Sequence, residues 1–146
     1  PHGFHVDQPW YKANVHGKND HEVFSAIFPD ASPEELKQLS LRKDAWFRTK
    51  AKSVGMKYVD GLPEALAFAK REGVRCIAVS NAPRAACECA LEMLRETVDA
   101  ADVIDGLVVG AECKRPKPFP DPYLVAIDHV RSSPSECVVF EDSSSG

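Results

Sequence analysis

The stretch CIAVSN, residues 76–81, decides the fold of this chain, because it is a continuous apolar run that stops abruptly at two polar residues. Such a run, preceded by the helix-ending Gly73 and followed by Pro83, is typical of a strand that is buried on both faces. Two similar runs follow, LVV at 107–109 and CVVF at 137–140. The sequence therefore predicts three buried strands from residue 76 onward.

Helical patterns alternate with these strands. Helices are predicted to begin at Pro63, at Pro83 and at Asp121-Pro122, each with apolar residues at helical spacing behind it. Alternation of helices with continuous apolar strands favours a parallel sheet with right-handed crossovers. The predicted fold class is therefore α/β, with a Rossmann-like parallel-sheet core.

The first 58 residues carry helical patterns only. Asn19 and Glu22 have the spacing of a capping box, and so do Ser32 and Glu35. We therefore predict an all-helical cap over residues 1–58 and an α/β core over residues 59–146.

Composition limits the classes of partner. The 146 residues include 44% hydrophobic residues, enough for a real core, and carry a formal net charge of −4. That charge gives no reason to expect nucleic acid or an anionic membrane as a partner, and no apolar run is long enough to span a bilayer. The five cysteines form no CxxC pair, which indicates a reducing, cytoplasmic setting.

The candidate chemistry lies where the predicted strands end, since ligands of open parallel sheets bind beyond the carboxyl ends of the strands. Ser80 and Asn81 close the first strand just before a helix, which makes a seat for a phosphate. Lys117 follows the second strand, in a loop with several prolines. Glu141 and Asp142 follow the third and suit a hard cation such as Mg²⁺. Together these features indicate phosphate chemistry at one edge of the sheet.

Four segments resemble motifs of the haloacid dehalogenase-like phosphatases. Residues 76–81 resemble the family's strand that ends in Ser or Thr, and KPFPDPY at 117–123 resembles its Lys-Pro-x-Pro-Asp segment, the most specific match. FEDSSSG at 140–146 is similar to the last motif in the form typical of the β-phosphoglucomutase-like subgroup. HGKN at 16–19 looks like the cap loop that reaches the substrate. The resemblance therefore covers nearly the whole chain.

The resemblance implies a role for three residues of the core in phosphoryl transfer. Ser80 would donate its hydroxyl hydrogen, and Asn81 its backbone amide, to the transferring phosphoryl group. Lys117 would neutralise charge on the phosphoryl oxygens and on the attacked carboxylate. Electrostatic positioning of this kind is the main protein contribution to phosphoryl transfer.

The resemblance also implies a metal and a substrate contact. Asp142 would ligate Mg²⁺, and Glu141 would hold a metal-bound water or orient a ligand. Gly17 and Lys18 of the cap loop would bind the substrate.

One motif of the family has no counterpart in the chain. The Asp-x-Asp motif, which supplies the nucleophile and the acid–base group, is expected upstream of residue 1, and the last core elements are expected after Gly146. The sheet is accordingly expected to be incomplete, and this chain by itself to be inactive.

The expected function is a phosphatase of small phosphorylated metabolites, such as sugar or glycerol phosphates, acting as a monomer through a phosphoaspartate. A β-phosphoglucomutase-like phosphosugar mutase is an alternative, since the motifs do not separate the two. A non-catalytic phosphate-binding protein is the third hypothesis, and it is disfavoured because Ser80, Lys117, Glu141 and Asp142 occur together.

Overall fold

The computed structural model describes residues 6–15 and 17–143. Within them lie six α-helices and two strands, in the following order: α1 (Gln8–Asn14), α2 (Asp20–Ile27), α3 (Pro33–Val54), α4 (Leu62–Arg71), β1 (Cys76–Ser80), α5 (Arg84–Thr97), β2 (Ile104–Val109) and α6 (Asp121–His129). Short 3₁₀ turns cover Asp99–Val103, Gly110–Glu112 and Pro134–Glu136. No helix among the described residues is long and apolar enough to cross a membrane.

The described residues before residue 59 contain helices and no strand, as predicted. The capping box of α2 forms, because Asn19 Oδ1 accepts from the Glu22 amide at 3.0 Å and Glu22 Oε2 accepts from the Asn19 amide at 2.9 Å. The box of α3 forms in the same way between Ser32 and Glu35. Side chains that satisfy the free amides of a first turn fix where a helix begins. The beginnings of α2 and α3 could therefore be predicted from residues that are near neighbours in the sequence.

The chain divides into two compact units. One comprises the described residues up to 43 together with 140–143, and the other comprises residues 44–139. The predicted boundary between a cap and a core after residue 58 stays a prediction.

β1 and β2 form a parallel pair, with Ala78 opposite Leu107 and Ser80 opposite Val109. The crossover between them consists of α5 and the following 3₁₀ turn. A parallel pair joined through a helix confirms the predicted α/β class. The main buried cluster beside it is apolar and contains Leu66, Leu94, Val98, Ala100 and Ala101.

The predicted third strand is wrong for the described structure. Residues 137–140 form no strand, and the side chains of Val138 and Phe140 are 80% and 94% exposed. A strand needs a neighbouring backbone to receive its hydrogen bonds, and no described segment pairs with this run. Among the described segments β1 pairs with β2 alone, and every residue of β1 is only half-buried, so the expected burial of that strand on both faces is also wrong.

Candidate functional site

Ser80 ends β1 and shapes the turn that leads into α5. Its hydroxyl oxygen accepts a hydrogen bond from the Ala82 amide at 3.1 Å. Its hydroxyl hydrogen is not used in that bond and can be donated elsewhere. α5 begins four residues later, at Arg84, and no side chain caps its first turn. A hydroxyl donor and the amides of a helix N-terminus therefore lie close together in sequence, which is suitable for an anion.

The Asn81 side chain connects this turn to the loop that carries Lys117. Asn81 Nδ2 donates to the Lys117 carbonyl oxygen at 2.9 Å, and the Lys117 amide donates to Asn81 Oδ1 at 3.1 Å. The two residues are 36 positions apart in the chain. The structure thus brings the loop after β2 to the carboxyl end of β1, beside Ser80. The three predicted phosphate-binding residues, Ser80, Asn81 and Lys117, therefore lie at the same edge of the sheet.

Gly110, the first residue after β2, makes room for this contact. A Cβ atom built on Gly110 would overlap Asn81 Oδ1, and it would lie 3.1 Å from Asn81 Cγ and 3.3 Å from Pro116 Cβ. Any larger residue at this position must displace the Asn81 side chain. Sequence reasoning missed Gly110, although a glycine directly after an apolar strand is a signal of close backbone approach.

Arg84, at the start of α5, connects that helix to the turn after β2. Arg84 Nε donates to Glu112 Oε1 at 2.6 Å, Nη2 donates to Glu112 Oε2, and Nη1 donates to Glu88 Oε1 at 3.3 Å. The hydrogen bond from Arg84 holds the pKa of the Glu112 carboxyl below its ordinary value. The pair was not anticipated from the sequence, because its members are 28 positions apart and each looks like an ordinary surface charge.

The rest of the Lys117 loop is held by side chains of its own segment. The Arg115 guanidinium lies 4.4 Å from the centre of the Phe119 ring and donates to Asp121 at 3.0 Å. The Lys117 ammonium lies 5.9 Å from the centre of the Tyr123 ring, and the Lys117–Pro118 peptide is cis. Asp121 is the first residue of α6, as predicted, and its carboxylate pairs with Arg115.

Glu141 and Asp142 lie after the unpaired run, in an exposed turn. Glu141 Oε1 accepts from the amides of Asp142 and Ser143 at 3.2 and 3.3 Å, and from the Ser143 hydroxyl at 3.3 Å. No cluster of three or more His, Cys, Asp or Glu side chains that could hold a metal occurs among residues 6–15 and 17–143. Two exposed carboxylates nevertheless fit Mg²⁺, which is commonly held by one or two carboxylates with waters and substrate phosphates. The metal-binding role of the pair stays a prediction.

The predicted cap loop is described in part, since His16 lies outside the described residues. Gly17 has a φ of +74°, and the Lys18 amide donates to the Val15 carbonyl at 3.1 Å. Lys18 is exposed and directly precedes the capping box of α2. Ser144, Ser145 and Gly146 of the last motif also lie outside the described residues. The substrate-binding role of the loop stays a prediction.

An open groove between the second half of α3 and α5 contains none of the predicted site residues. Its walls carry charges of both signs, including an ion pair of 3.3 Å between Lys52 and Glu92. Because these charges largely compensate one another, the groove offers no net attraction for a phosphate.

The family model of the haloacid dehalogenase-like hydrolases matches residues 15–146, and the chain belongs to that family.

Two curated relatives show which members of the family this chain resembles. The chain is 36% identical over 86 residues to the phosphorylated carbohydrates phosphatase of Thermotoga maritima, an alignment that covers 59% of this chain and 38% of that protein. It is 33% identical over 88 residues to the validoxylamine A 7'-phosphate phosphatase of Streptomyces hygroscopicus subsp. limoneus, covering 60% of this chain and 39% of that protein. The chain thus spans less than two-fifths of the length of these curated relatives.

A solved structure shares the fold. It is a Thermotoga maritima protein provisionally named beta-phosphoglucomutase, and it superposes with a TM-score of 0.61 at 27% identity. The match covers 97% of this chain and 63% of the other. The predicted family is therefore confirmed, and the likeness supports the β-phosphoglucomutase-like subgroup.

Proposed function

We propose that the full-length protein is a Mg²⁺-dependent phosphate-monoester hydrolase that acts on small phosphorylated metabolites such as sugar or glycerol phosphates. The observation that carries this proposal is the pair of hydrogen bonds by which Asn81 holds the Lys117 loop beside Ser80. Membership of the hydrolase family supports the reaction class. The substrate class is supported by two relatives that are named phosphatases of a phosphorylated carbohydrate and of a 7'-phosphate.

The proposed mechanism uses positioning and charge. The Ser80 hydroxyl and the Asn81 backbone amide donate to oxygens of the phosphoryl group. The Lys117 ammonium offsets the negative charge of that group and of the attacking carboxylate. The attacking carboxylate is that of the family's Asp-x-Asp motif, and it forms a phosphoaspartate that water hydrolyses. These groups lower the activation barrier of phosphoryl transfer mainly because they are preorganised around the charge that the transition state carries.

Mg²⁺ would be ligated by Asp142, with Glu141 holding a coordinated water, and it would supply further positive charge against the phosphoryl oxygens. Lys18, with Gly17, would contact the part of the substrate that is not transferred. Both roles belong to the proposal.

The test is phosphate release by the full-length protein from hexose phosphates and glycerol phosphates, with Mg²⁺ and with excess EDTA. We expect release that depends on Mg²⁺ and that falls in Ser80→Ala and Lys117→Met. Arg75→Met is the control, since Arg75 precedes β1, and it should keep the activity. Absence of release from every substrate, with folded protein and Mg²⁺ present, contradicts the proposal.

The mutase is a second candidate, favoured by the likeness to the provisionally named beta-phosphoglucomutase. Phosphorus NMR of a hexose 1-phosphate reaction separates the two. Growth of an inorganic phosphate signal indicates a phosphatase, whereas conversion to the 6-phosphate without phosphate release indicates a mutase.

We also propose that the protein is a cytoplasmic monomer without nucleic-acid or membrane partners. All five cysteines are free thiols, which suits a reducing compartment. The formal net charge of −4 supplies no general attraction to polyanions. Light scattering of the purified full-length protein tests the monomer.

A further inference from the structure

The side chain of Asn81 forms hydrogen bonds with the backbone of Lys117, a residue of the proposed active site. Its amide group donates to the Lys117 carbonyl oxygen at 2.9 Å and accepts from the Lys117 amide at 3.1 Å. Asn81 is half-buried, and both of these bonds are part-buried. We call this pair of bonds the Asn81 clasp.

We propose that Asn81 is a positioning residue: the Asn81 clasp sets where the Lys117 ammonium lies relative to the Ser80 hydroxyl, and Gly110 is required because it leaves space for the clasp. This inference rests on the proposed phosphatase function and deepens it. It concerns the Asn81 side chain, whereas the phosphoryl contact proposed above uses the Asn81 backbone amide.

The chemistry of the amide explains why asparagine suits this position. A carboxamide carries a donor and an acceptor on one rigid plane, and it can therefore satisfy the N–H and the C=O of one residue at the same time. Aspartate has nearly the same shape but only accepts, so its second oxygen would face the Lys117 carbonyl oxygen and repel it. Alanine would leave both backbone groups of Lys117 without these partners, at the cost of unsatisfied polar groups in a part-buried place.

The remainder of the loop does not replace the clasp. Arg84 holds Glu112, five positions before Lys117, and Arg115 holds Asp121, four positions after it. The Arg84–Glu112 pair joins two exposed side chains, and the Arg115 side chain of the other pair is half exposed, so water and salt weaken the attraction in both pairs. The Asn81 clasp acts on the backbone of Lys117 itself, and directional hydrogen bonds of this kind restrict its position more closely.

Gly110 supplies an independent observation for the same contact. A Cβ atom on Gly110 would overlap Asn81 Oδ1, the atom that accepts from the Lys117 amide. Gly110→Ala should therefore break the clasp without changing Asn81. Once Asn81 is alanine, the overlapping atom is gone, and the nearest remaining neighbour is Pro116 Cβ at 3.3 Å.

The activity test uses the full-length protein with p-nitrophenyl phosphate and Mg²⁺. A misplacement of about 1 Å can cost about a hundredfold in rate, so we expect Asn81→Ala and Asn81→Asp to lower kcat by about ten- to a hundredfold while KM changes by about threefold or less. The Asn81→Ala substitution is then repeated in a Lys117→Met background, where it should lower kcat by no more than about twofold, because the group that it positions is gone. Equal losses in both backgrounds overturn the inference, and so does an Asn81→Ala variant with unchanged kcat.

The stability test compares Gly110→Ala, Asn81→Ala and the double variant by thermal unfolding. We expect Gly110→Ala to lower Tm clearly in the wild-type background and much less in the Asn81→Ala background. If the Tm losses of the two single variants add up fully in the double variant, the inferred role of Gly110 in the clasp is overturned. Asn14→Ala is the matched control, since Asn14 Nδ2 donates to the Trp10 carbonyl oxygen at 3.0 Å within α1, and it should combine additively with Gly110→Ala.

The two tests separate the failure of the clasp from the failure of the proposed function. If the wild type hydrolyses phosphate esters and Asn81→Ala is equally fast, the function stands and the inference is overturned. If the wild type is inactive with every phosphate ester, the proposed function fails and the stability test alone decides the clasp.

Discussion

The two ends of the β1–β2 pair are held together by different means. At the amino end, Arg75 Nη2 donates to Asp105 Oδ2 at 2.8 Å, and both side chains are more than 40% exposed. At the carboxyl end, the part-buried, uncharged Asn81 clasp holds the backbone of Lys117. Water and salt weaken the exposed ion pair, whereas the hydrogen bonds of the clasp are directional and part-buried and are therefore weakened less.

Each end also has a glycine in close contact with a neighbour. A Cβ atom on Gly106, at the amino end, would lie 2.7 Å from Ile77 Cδ1 and 3.2 Å from His129 Nε2, the tips of two side chains. A Cβ atom on Gly110 would instead overlap Asn81 Oδ1, the atom of the Asn81 clasp that accepts from the Lys117 amide. The register of the strands also shifts at the amino end, between Cys76 and Ile77. The amino end is therefore held by contacts between side chains, whereas the carboxyl end has hydrogen bonds that fix the backbone of one particular residue, Lys117.

The largest expected difference between the ends is in activity. In the full-length protein we expect Lys117→Met to lower kcat by about 10²–10³-fold, the loss typical of one electrostatic contact to a developing charge. Arg75→Met should change kcat by about twofold or less, because it only weakens the exposed pair at the other end. Steady-state phosphate release from a sugar phosphate measures both. A comparable loss in the two variants would mean that the ends do not differ in function.

The two glycines should differ in stability. Gly110→Ala is expected to lower the free energy of unfolding by about 1–3 kcal/mol, as overpacking does when a well-placed polar group must move. Gly106→Ala should cost less, since the tip of Ile77 can turn away. Urea unfolding of both variants measures the difference. A larger loss of unfolding free energy in Gly106→Ala than in Gly110→Ala would contradict this prediction.

The unpaired run at 137–140 should differ from the paired strands in hydrogen exchange. In the 146-residue chain, we expect the amides of Val138 and Val139 to exchange orders of magnitude faster than those of Val79 and Val108, which lie within the β1–β2 ladder. Exchange followed by NMR at individual amides tests this. Equal protection in the two places would show that residues 137–140 have a hydrogen-bonding partner after all.

The smallest effect concerns the ion pair beside the clasp. Because Arg84 holds the pKa of Glu112 below its ordinary value of 4.5, the pair stabilises the folded state above that value. The contribution is lost as the pH falls through the lower pKa of the folded state. Glu112→Gln should therefore lower Tm slightly at pH 7, and its difference from the wild type should shrink toward pH ~3. Glu88→Gln is the matched control, because Glu88 also accepts a hydrogen bond from Arg84. If the Tm difference between Glu112→Gln and the wild type grew as the pH fell, the predicted direction of the pH dependence would be wrong.

The sequence by itself determined the features that depend on neighbours in the chain. The capping boxes of α2 and α3 form between residues three positions apart, and apolar spacing is enough to place β1 and α5. The family was readable for the same reason, since its motifs are short segments that follow predicted strands. Ser80 and Lys117 were placed at one edge because the carboxyl ends of parallel strands meet there.

Only the tertiary structure decided the features that need a distant partner. The CVVF run looks like a strand by composition, yet a strand exists only where another backbone accepts its hydrogen bonds. The Asn81 clasp and the Arg84–Glu112 pair join residues 36 and 28 positions apart, and no local pattern distinguishes such an asparagine or arginine from others. The need for glycine at position 110 follows from the clasp. These contacts were decided by packing in three dimensions, because the energy of each depends on which groups the fold brings within hydrogen-bonding distance.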